Sequence, residues 1–379
     1  MAKDAPPIRA PGAECDLVPA SAAIDRIHRK FPNMTADQVS YVLSAVIGRH
    51  IDAKTCEERA ECVRGNRQVL KRLLEDPGIP QRTQEWYDAR TTMITASDFA
   101  QALGCAKFGT QRQFFEKKCS VAPPAFDATI PPLRWGIMFE PVACNIYRSM
   151  NCGVHVHEFG LLRHPTIPYI GASPDGITDD GIMLEIKCPW RRKITGEVPL
   201  QYYYQIQGQL AVCGLDECDY FECEFEVVDT DADVAYHDGP EYERGVFIED
   251  TSVSPPRYVY PHQSLSSLES LSRWADAHVD PDNNTLRVIW WRLLKSATAR
   301  LHAEPVMFAD LAKRLSPIWD KVNLYRADAA AFETDFARPS LQAPPPARTR
   351  KKVATVDAVA ALMLPTYAFV EVDDPAITE

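Results

Sequence analysis

The sequence lacks a long apolar run. No segment reaches the length of about 18 consecutive apolar residues that a membrane-spanning helix needs. The first residues also lack the apolar centre of a secretory signal peptide. The 11 cysteines therefore occur without an export signal, which favours reduced thiols over disulfides. From these absences we expect a soluble intracellular protein of the cytoplasm or nucleus that has no membrane partner.

An excess of positive charge is also lacking. Lys and Arg number 41 against 52 Asp and Glu, which gives a formal net charge of −11. This balance argues against a protein that coats nucleic acid non-specifically, because neutralising phosphates requires clustered basic residues. A DNA enzyme stays compatible with it, since carboxylates that hold metal ions add negative charge and the DNA footprint can be a local groove.

The 379 residues divide into five predicted segments. We expect a disordered tail over residues 1–20, a helical module over 21–79, an α/β core over 80–262, a C-terminal helical region over 263–338 and a flexible tail over 339–379. Strand-like runs in the core cover residues 154–162, 169–172, 182–188, 220–228, 245–248 and 257–260, and a helix is predicted from Leu200 to Cys213. Further helices are predicted at 265–278, 286–302 and 307–337. The core is therefore predicted to be a mixed central sheet flanked by helices.

One group of residues carries recognisable chemistry. Asp175 follows a predicted strand in a Pro-Asp-Gly turn, and Glu185 and Lys187 lie two residues apart on the next strand, so that both project from one face. A hairpin would bring Asp175 beside Glu185. Two converging carboxylates suit Mg²⁺ or Mn²⁺, and a lysine beside them can orient or deprotonate a water and stabilise charge on a phosphate. Each half of the pattern alone is common in turns and exposed strands, but the ordered combination predicts phosphodiester hydrolysis.

Three further motifs extend this pattern. Trp86 and Arg90 precede Thr95-Ala96-Ser97-Asp98, and a Gly-x-x-x-Glu pattern ends at Glu140. Residues 204–210 contain three glutamines at alternate positions. Together with the Asp175–Lys187 segment, they resemble the YqaJ-like viral recombinase family, which is related to phage lambda exonuclease and has the PD-(D/E)xK nuclease signature. The resemblance covers residues 80–262 and implies a restriction-endonuclease-like core.

The resemblance implies a catalytic role for each matching residue. Asp175, Glu185, the carbonyl of Ile186 and Glu140 would bind one or two Mg²⁺ or Mn²⁺ ions. Lys187 would hold the nucleophilic water, and Gln205 or Gln207 would act beside it. The alternative for Glu140 is a solvated position on its helix.

Substrate-binding roles are implied as well. Arg90, Ser97 and Ser173 would bind the terminal phosphate of a DNA strand, for which a guanidinium fork and hydroxyl donors are suited. Read without the resemblance, Arg90 is an ordinary surface arginine and Ser97 a helix cap. From its position after the catalytic strand, we also expect the basic run containing Arg191 and Arg192 to contact the DNA backbone.

The predicted function is a metal-dependent DNA exonuclease that acts at linear duplex ends, recognises a 5′ phosphate and serves recombination or repair. The resemblance further implies a single-strand annealing protein as partner, a homo-oligomer, and a virus-infected host as one setting. Two alternatives stay open: a structure-specific endonuclease or resolvase on the same core, and a DNA-binding protein without catalysis.

Two other groups of residues are expected to lie outside this chemistry. Cys213, Cys218 and Cys223 recur at a five-residue spacing that does not match iron–sulfur cluster patterns, which favours buried thiols. His155 and His157 alternate on one strand but have no nearby set of ligands that would complete a zinc site.

Overall fold

The computed structural model describes residues 20–47, 51–119, 130–231, 233, 243–262, 265–280 and 283–336. Most of the predicted tail at residues 1–20, and all of the tail at 339–379, lie outside these ranges. Helices are α1 (Ala20–Lys30), α2 (Ala36–Ile47), α3 (Ala53–Glu75), α4 (Gln84–Thr91), α5 (Phe99–Ala102), α6 (Gln111–Cys119), α7 (Pro131–Met150), α8 (Leu200–Cys213), α9 (Leu268–His278), α10 (Pro305–Ala327) and α11 (Ala329–Asp335), with a 3-10 turn at Ala96–Asp98. None of the helices in these ranges combines the length and apolar character that a membrane crossing requires.

Strands form one small and one large sheet within the described residues. They are β1 (Ile94–Thr95), β2 (Val156–His157), β3 (Leu162–Arg163), β4 (Ile170–Ala172), β5 (Gly176–Thr178), β6 (Met183–Lys187), β7 (Glu217–Val228), β8 (Arg244–Asp250), β9 (Arg257–Val259) and β10 (Leu286–His302). The small sheet has the order β1-β4-β3, and the large sheet has the order β2-β5-β6-β7-β10-β8-β9. In the large sheet β6 and β7 run parallel, joined by α8 as a crossover helix, whereas the other neighbouring strands are antiparallel.

Helices cover both faces of the large sheet. On one face Phe139 of α7 stacks on Phe225 of β7 with 4.4 Å between ring centroids, in a cluster that includes Trp291. On the other face, Leu271 of α9 packs in a cluster with Trp290. The predicted mixed α/β core, with a central sheet flanked by helices, is therefore confirmed.

The prediction of a helix over residues 286–302 is wrong. These residues form β10, which pairs with β7 from Trp290 to His302 and with β8 from Leu286 to Arg292. Trp290 and Trp291 are both buried because each face of the strand is covered. The sequence of β10 therefore lacks the alternation of apolar and polar residues that marks a strand with one exposed face. The register shifts between Leu293 and Lys295, and Leu294 is half-exposed, so that apolar positions acquire a helix-like spacing. The sheet thus extends beyond the predicted core boundary at residue 262.

Buried ion pairs connect the N-terminal helices to the sheet. Arg59 of α3 bonds Asp25 of α1 through Nε at 2.7 Å and Glu217 of β7 through Nη1 at 2.6 Å. Arg300 of β10 bonds the same Asp25 at 2.8 Å and Asp219 of β7 at 2.8 Å. The predicted helices at residues 21–79 are therefore present, and they are joined to the core strands by charges that water does not reach.

Candidate active site

The hairpin of β5 and β6 carries the predicted acidic residues. Asp175 directly precedes β5, whereas Glu185 and Lys187 lie on β6, and Gly176 pairs with Leu184 across the hairpin. The Asp175 carboxylate accepts a hydrogen bond from the amide of Ile186 at 2.7 Å. The hairpin therefore places the Asp175 carboxylate against the backbone amide of Ile186, between Glu185 and Lys187, as the spacing in the sequence predicts.

Glu185 is fully buried and is held from three sides. Its Oε1 accepts hydrogen bonds from the Lys187 ammonium and from Nε2 of Gln205, the latter at 2.6 Å. Its Oε2 accepts a hydrogen bond from Nε2 of Gln209 at 2.7 Å. The Lys187 ammonium also lies 5.1 Å from the ring centroid of Tyr202. These donors fix both oxygens of the carboxylate in one orientation.

The electrostatics of the site favour a bound cation. Burial, reinforced by the negative charge of Glu185, raises the pKa of Asp175 well above its ordinary value. Burial alone would lower the pKa of Lys187, but the carboxylates of Glu185 and Asp175 outweigh it and raise that pKa. Lys187 is thus a firmly protonated cation in this arrangement, and Asp175 lacks a sufficient positive partner.

Glu140 lies on α7 and is turned toward Arg82. Its carboxylate is half-buried and 3.2 Å from the Arg82 guanidinium. Burial raises the pKa of Glu140 although Arg82 opposes this, and its charge in turn contributes to raising the pKa of Asp175. Glu140 therefore lies near the acidic pair without converging on it, and its role as a metal ligand stays a prediction.

The donor set fits a magnesium ion that substrate helps to coordinate. In the part of the chain that the structure describes, no three His, Cys, Asp or Glu side chains converge closely enough to hold a metal by themselves. Mg²⁺, however, is commonly held by one or two carboxylates together with water and substrate phosphates. Asp175 and Glu185 supply such a pair. Burial and the charge of Glu185 raise the pKa of Asp175, and a cation bound between the two carboxylates would oppose that rise.

Helix α8 resolves which glutamines face the site. Gln205 and Gln209, four residues apart on one helix face, both donate to Glu185. Gln207 points elsewhere: its Nε2 donates to the carbonyl of His302 at 2.9 Å, and its Oε1 accepts from the amide of Glu304 at 2.8 Å. The expectation for Gln207 is thereby corrected, because a residue two positions from Gln205 lies on a different helix face. Gln209 was missed, although its spacing from Gln205 could have indicated it.

A glycine allows α8 to approach the turn before α5. A Cβ on Gly208 would meet Phe99 at 2.5 Å and Ala96 at 3.0 Å. The helix therefore needs glycine here, despite its low helix propensity, in order to pack closely against this turn. This packing brings the Ser97 turn close to the helix that carries Gln205 and Gln209.

The residues predicted to bind phosphate form a connected cluster. Nη2 of Arg90 donates to Oγ of Ser97 at 3.2 Å, and the guanidinium lies 4.3 Å from the ring centroid of Trp86. Nε1 of Trp86 donates to Oγ of Ser173 at 3.0 Å. Trp86 therefore links Arg90 to Ser173.

Ser173 links this cluster to the acidic site. Its hydroxyl faces Trp86, whereas its carbonyl accepts from Nε2 of Gln209 at 3.4 Å. The same Gln209 nitrogen bonds Glu185. Arg90, Ser97 and Ser173 thus lie on one side of a continuous polar network, with Glu185 on the other.

The basic run after β6 divides into exposed and paired residues. Arg191 is exposed and lies 3.9 Å from the ring centroid of Trp190. Arg192 instead forms an ion pair with Glu222 of β7, and Lys193 pairs with Glu224 at 2.8 Å. The structure leaves Arg191 accessible to a phosphate and engages Arg192 in anchoring the loop to the sheet, which weakens the expectation that Arg192 contacts DNA.

Comparison with known proteins identifies the domain. Residues 85–216 match the model of the YqaJ-like viral recombinase domain. That segment contains every residue assigned above to the acidic site and to the phosphate cluster, from Trp86 to Gln209. The family predicted from the motifs is thereby confirmed for this part of the chain.

Individual similar proteins are more distant. An uncharacterised protein of Acanthamoeba polyphaga mimivirus is 24% identical over 347 residues, which are 79% of this chain and 62% of that protein. The crystal structure of an alkaline exonuclease from Laribacter hongkongensis aligns at 20% identity and a TM-score of 0.39 over 67% of this chain and 100% of that one. A phage-related exonuclease from Haemophilus somnus aligns at 10% identity and a TM-score of 0.37, over 64% of this chain and 99% of that one.

Proposed function

We propose that this chain, which carries a YqaJ-like viral recombinase domain at residues 85–216, is a metal-dependent deoxyribonuclease that degrades linear duplex DNA from its ends. The observation that carries the proposal is the arrangement on the β5–β6 hairpin. There a buried glutamate and a protonated lysine lie two residues apart on strand β6, and a second carboxylate with a raised pKa accepts a hydrogen bond from the amide of the residue between them. Phosphodiester hydrolysis needs these groups together.

Each residue at the hairpin has a role under this proposal. Asp175 and Glu185 would hold Mg²⁺ or Mn²⁺, one or two ions, with the carbonyl of Ile186 and with Glu140 as further ligands. A metal bound there would polarise the scissile phosphate and activate water. Lys187 stays protonated and orients the attacking water while it stabilises charge on the phosphate. Gln205 and Gln209 keep the Glu185 oxygens oriented.

Preference for an end is supported by the phosphate cluster. Arg90 offers a guanidinium, and Ser97 and Ser173 offer hydroxyls, around the ring of Trp86. These donors suit a terminal phosphate, which carries more charge than an internal phosphodiester. Because Gln209 connects this cluster with Glu185, a strand end held at the cluster would lie close to the hairpin. We therefore include 5′-phosphate recognition in the proposal.

The biological setting follows from the domain family. A viral recombinase domain suggests resection of DNA ends for recombination or repair, with a single-strand annealing protein as partner and a homo-oligomer as the working form. An intracellular site of action, including a virus-infected cell, is part of the same proposal.

The test is digestion of end-labelled DNA with Mg²⁺. Linear duplexes with a 5′ phosphate or a 5′ hydroxyl are compared with closed circular DNA of the same sequence, and EDTA serves as the metal-free control. We expect rapid loss of the 5′-phosphorylated linear duplex and no cutting of the circle. Equal cutting of circular DNA would instead indicate an endonuclease or resolvase, and binding without cleavage would indicate a DNA-binding protein.

A further inference from the structure

A buried ion pair lies directly behind the phosphate cluster. Lys118 of α6 has a fully buried side chain, and its Nζ is 2.7 Å from Oδ2 of Asp98. The same ammonium donates to the backbone carbonyl of Arg90 at 2.7 Å. Lys118 thus connects the end of α4, which carries Arg90, with the turn that carries Ser97.

The Asp98 carboxylate holds that turn through hydrogen bonds from Thr95. Its Oδ2 accepts from the amide of Thr95 at 3.1 Å and from the Thr95 hydroxyl at 2.6 Å. The Thr95 hydroxyl is in turn 3.1 Å from Oγ of Ser97. Lys117 adds a second cation 3.1 Å from Oδ1 of Asp98. The carboxylate therefore orders the backbone on both sides of Ser97.

A guanidinium from α10 also binds the two helices that carry Lys118 and Arg90. Arg326 donates to the carbonyl of Lys118 through Nε at 3.1 Å and through Nη2 at 2.8 Å, and to the carbonyl of Thr91 at 2.5 Å. These carbonyls lie at the ends of α6 and α4, where helices leave carbonyl groups without partners. Helix α10 thus holds together the two helices that bear Lys118 and Arg90.

We propose that Lys118 and Asp98 are positioning residues that set the distance between the Arg90 guanidinium and the Ser97 hydroxyl, and thereby the selectivity for a terminal phosphate. The inference rests on the proposed function, because it takes Arg90 and Ser97 as the phosphate-binding groups. Lys118 contacts the backbone of Arg90, and Asp98 contacts the turn that carries Ser97. Loss of this ion pair therefore lets the Arg90 guanidinium and the Ser97 hydroxyl move independently. Donors held to within a fraction of an ångström discriminate between anions, whereas loosely held donors do not.

The experiment compares variants of the full chain. Lys118→Met removes the cation, and Lys118→Met with Asp98→Asn removes both charges so that no unpaired buried carboxylate opposes folding. Asp25→Asn alters another buried ion-pair group, remote from the phosphate cluster, and serves as the matched control. Thermal unfolding first defines a temperature at which every variant is folded. Then kcat and KM are measured on duplexes that differ only in a 5′ phosphate or a 5′ hydroxyl.

Both Lys118 variants are expected to lower the 5′-phosphate to 5′-hydroxyl ratio of kcat/KM by about tenfold, the scale of one charge-assisted hydrogen bond. The loss should appear in KM for the phosphorylated duplex and leave turnover of the hydroxyl duplex unchanged. Asp25→Asn should lower the melting temperature while preserving the ratio. An unchanged ratio in folded Lys118 variants, with the ratio lost in Arg90→Ala, overturns the positioning role alone. A ratio of one in the unaltered protein, or no effect of Arg90→Ala, overturns the proposed phosphate site and the inference with it.

Discussion

Gln209 donates a hydrogen bond from Nε2 to Oε2 of Glu185 at 2.7 Å, while Gln205 and Lys187 occupy the other carboxylate oxygen. Glu185 is fully buried, so these donors replace the water that would otherwise solvate it. The carboxylate is thereby oriented before any ligand arrives. An oriented carboxylate binds a metal without first reorganising, which is the role of groups that surround metal ligands.

Replacing Gln209 tests this orientation. We expect Gln209→Leu to lower the rate of Mg²⁺-dependent DNA cleavage by about 10- to 100-fold and to raise the Mg²⁺ concentration that gives half-maximal rate. Gln207→Leu is the matched control, because Gln207 lies on the same helix but bonds His302 and Glu304. That control should lower the melting temperature and leave the magnesium dependence unaltered. Equal effects of both variants on the magnesium dependence would contradict the assignment.

Asp175 provides a direct test of the acidic pair. Asp175→Asn keeps the size of the side chain and the capacity to accept from the Ile186 amide, but removes the charge. We expect cleavage to fall by on the order of a thousandfold, the scale at which single electrostatic groups act in catalysis. Binding of duplex DNA, followed by fluorescence anisotropy, should persist. Asp179→Asn, an exposed aspartate of the same hairpin, is the control. Undiminished cleavage by Asp175→Asn would remove this residue from the site.

The sequence predicted the proximity of the acidic residues and the lysine better than it predicted the sheet around them. Asp175, Glu185 and Lys187 are close in sequence, and a hairpin follows from a short turn between two apolar strands, so their proximity needed only local rules. No local rule of this kind predicts that residues 286–302 form a strand. Their place at the centre of the sheet depends on α7 and α9 covering opposite faces, which local spacing does not reveal.

Contacts between distant segments could likewise not be predicted from the sequence. The choice between Gln205 and Gln207 depended on which helix face meets Glu185, and Gln209 follows from its four-residue spacing only once Gln205 is known to lie on that face. Arg192 looked like its neighbour Arg191 in sequence, but β7 lies beside it with Glu222. A carboxylate 30 residues away decides whether an arginine is available to DNA, and one sequence does not show that pairing.

Arg191 and Arg192 therefore should behave differently. Arg191→Ala is expected to weaken duplex DNA binding and to reduce the slope of log Kd against log salt by about 1, as expected for the loss of one phosphate contact. Arg192→Ala breaks the pair with Glu222 and should lower thermal stability, with little change in the salt slope. Anisotropy titrations at several salt concentrations measure both. A reduced slope in Arg192→Ala and not in Arg191→Ala would reverse the two assignments.

The buried network between the N-terminal helices and the sheet should contribute strongly to stability. Arg300→Met leaves the carboxylates of Asp25 and Asp219 without this shared cation. We expect the free energy of unfolding to fall by about 3–5 kcal/mol, the usual cost of breaking a buried ion pair from one side. Arg273→Met, which removes an exposed pair with Glu269, should cost less than about 1 kcal/mol. Urea unfolding followed by tryptophan fluorescence measures both, and equal losses would argue against a buried network.

The protonation of Lys118 gives the end preference a pH dependence. The pKa of Lys118 is lowered to about 8, mainly by burial and also by the nearby cations Lys117 and Arg90, although the Asp98 carboxylate opposes that change. The guanidinium of Arg326 binds the Lys118 carbonyl on the far side.

Below a pH of about 8 the ammonium is charged and holds Asp98 and the Arg90 carbonyl; above it the proton is lost and the pair loosens. A terminal phosphate has a second pKa of about 6, so it is already ionised as the pH rises through about 8 and adds no titration of its own there. We therefore expect the 5′-phosphate to 5′-hydroxyl ratio of kcat/KM to decline as pH rises through about 8, while Lys118→Met shows a low ratio at every pH. A ratio that stays constant to about pH 9.5 in the unaltered protein would show that the charge on Lys118 does not position Arg90 and Ser97.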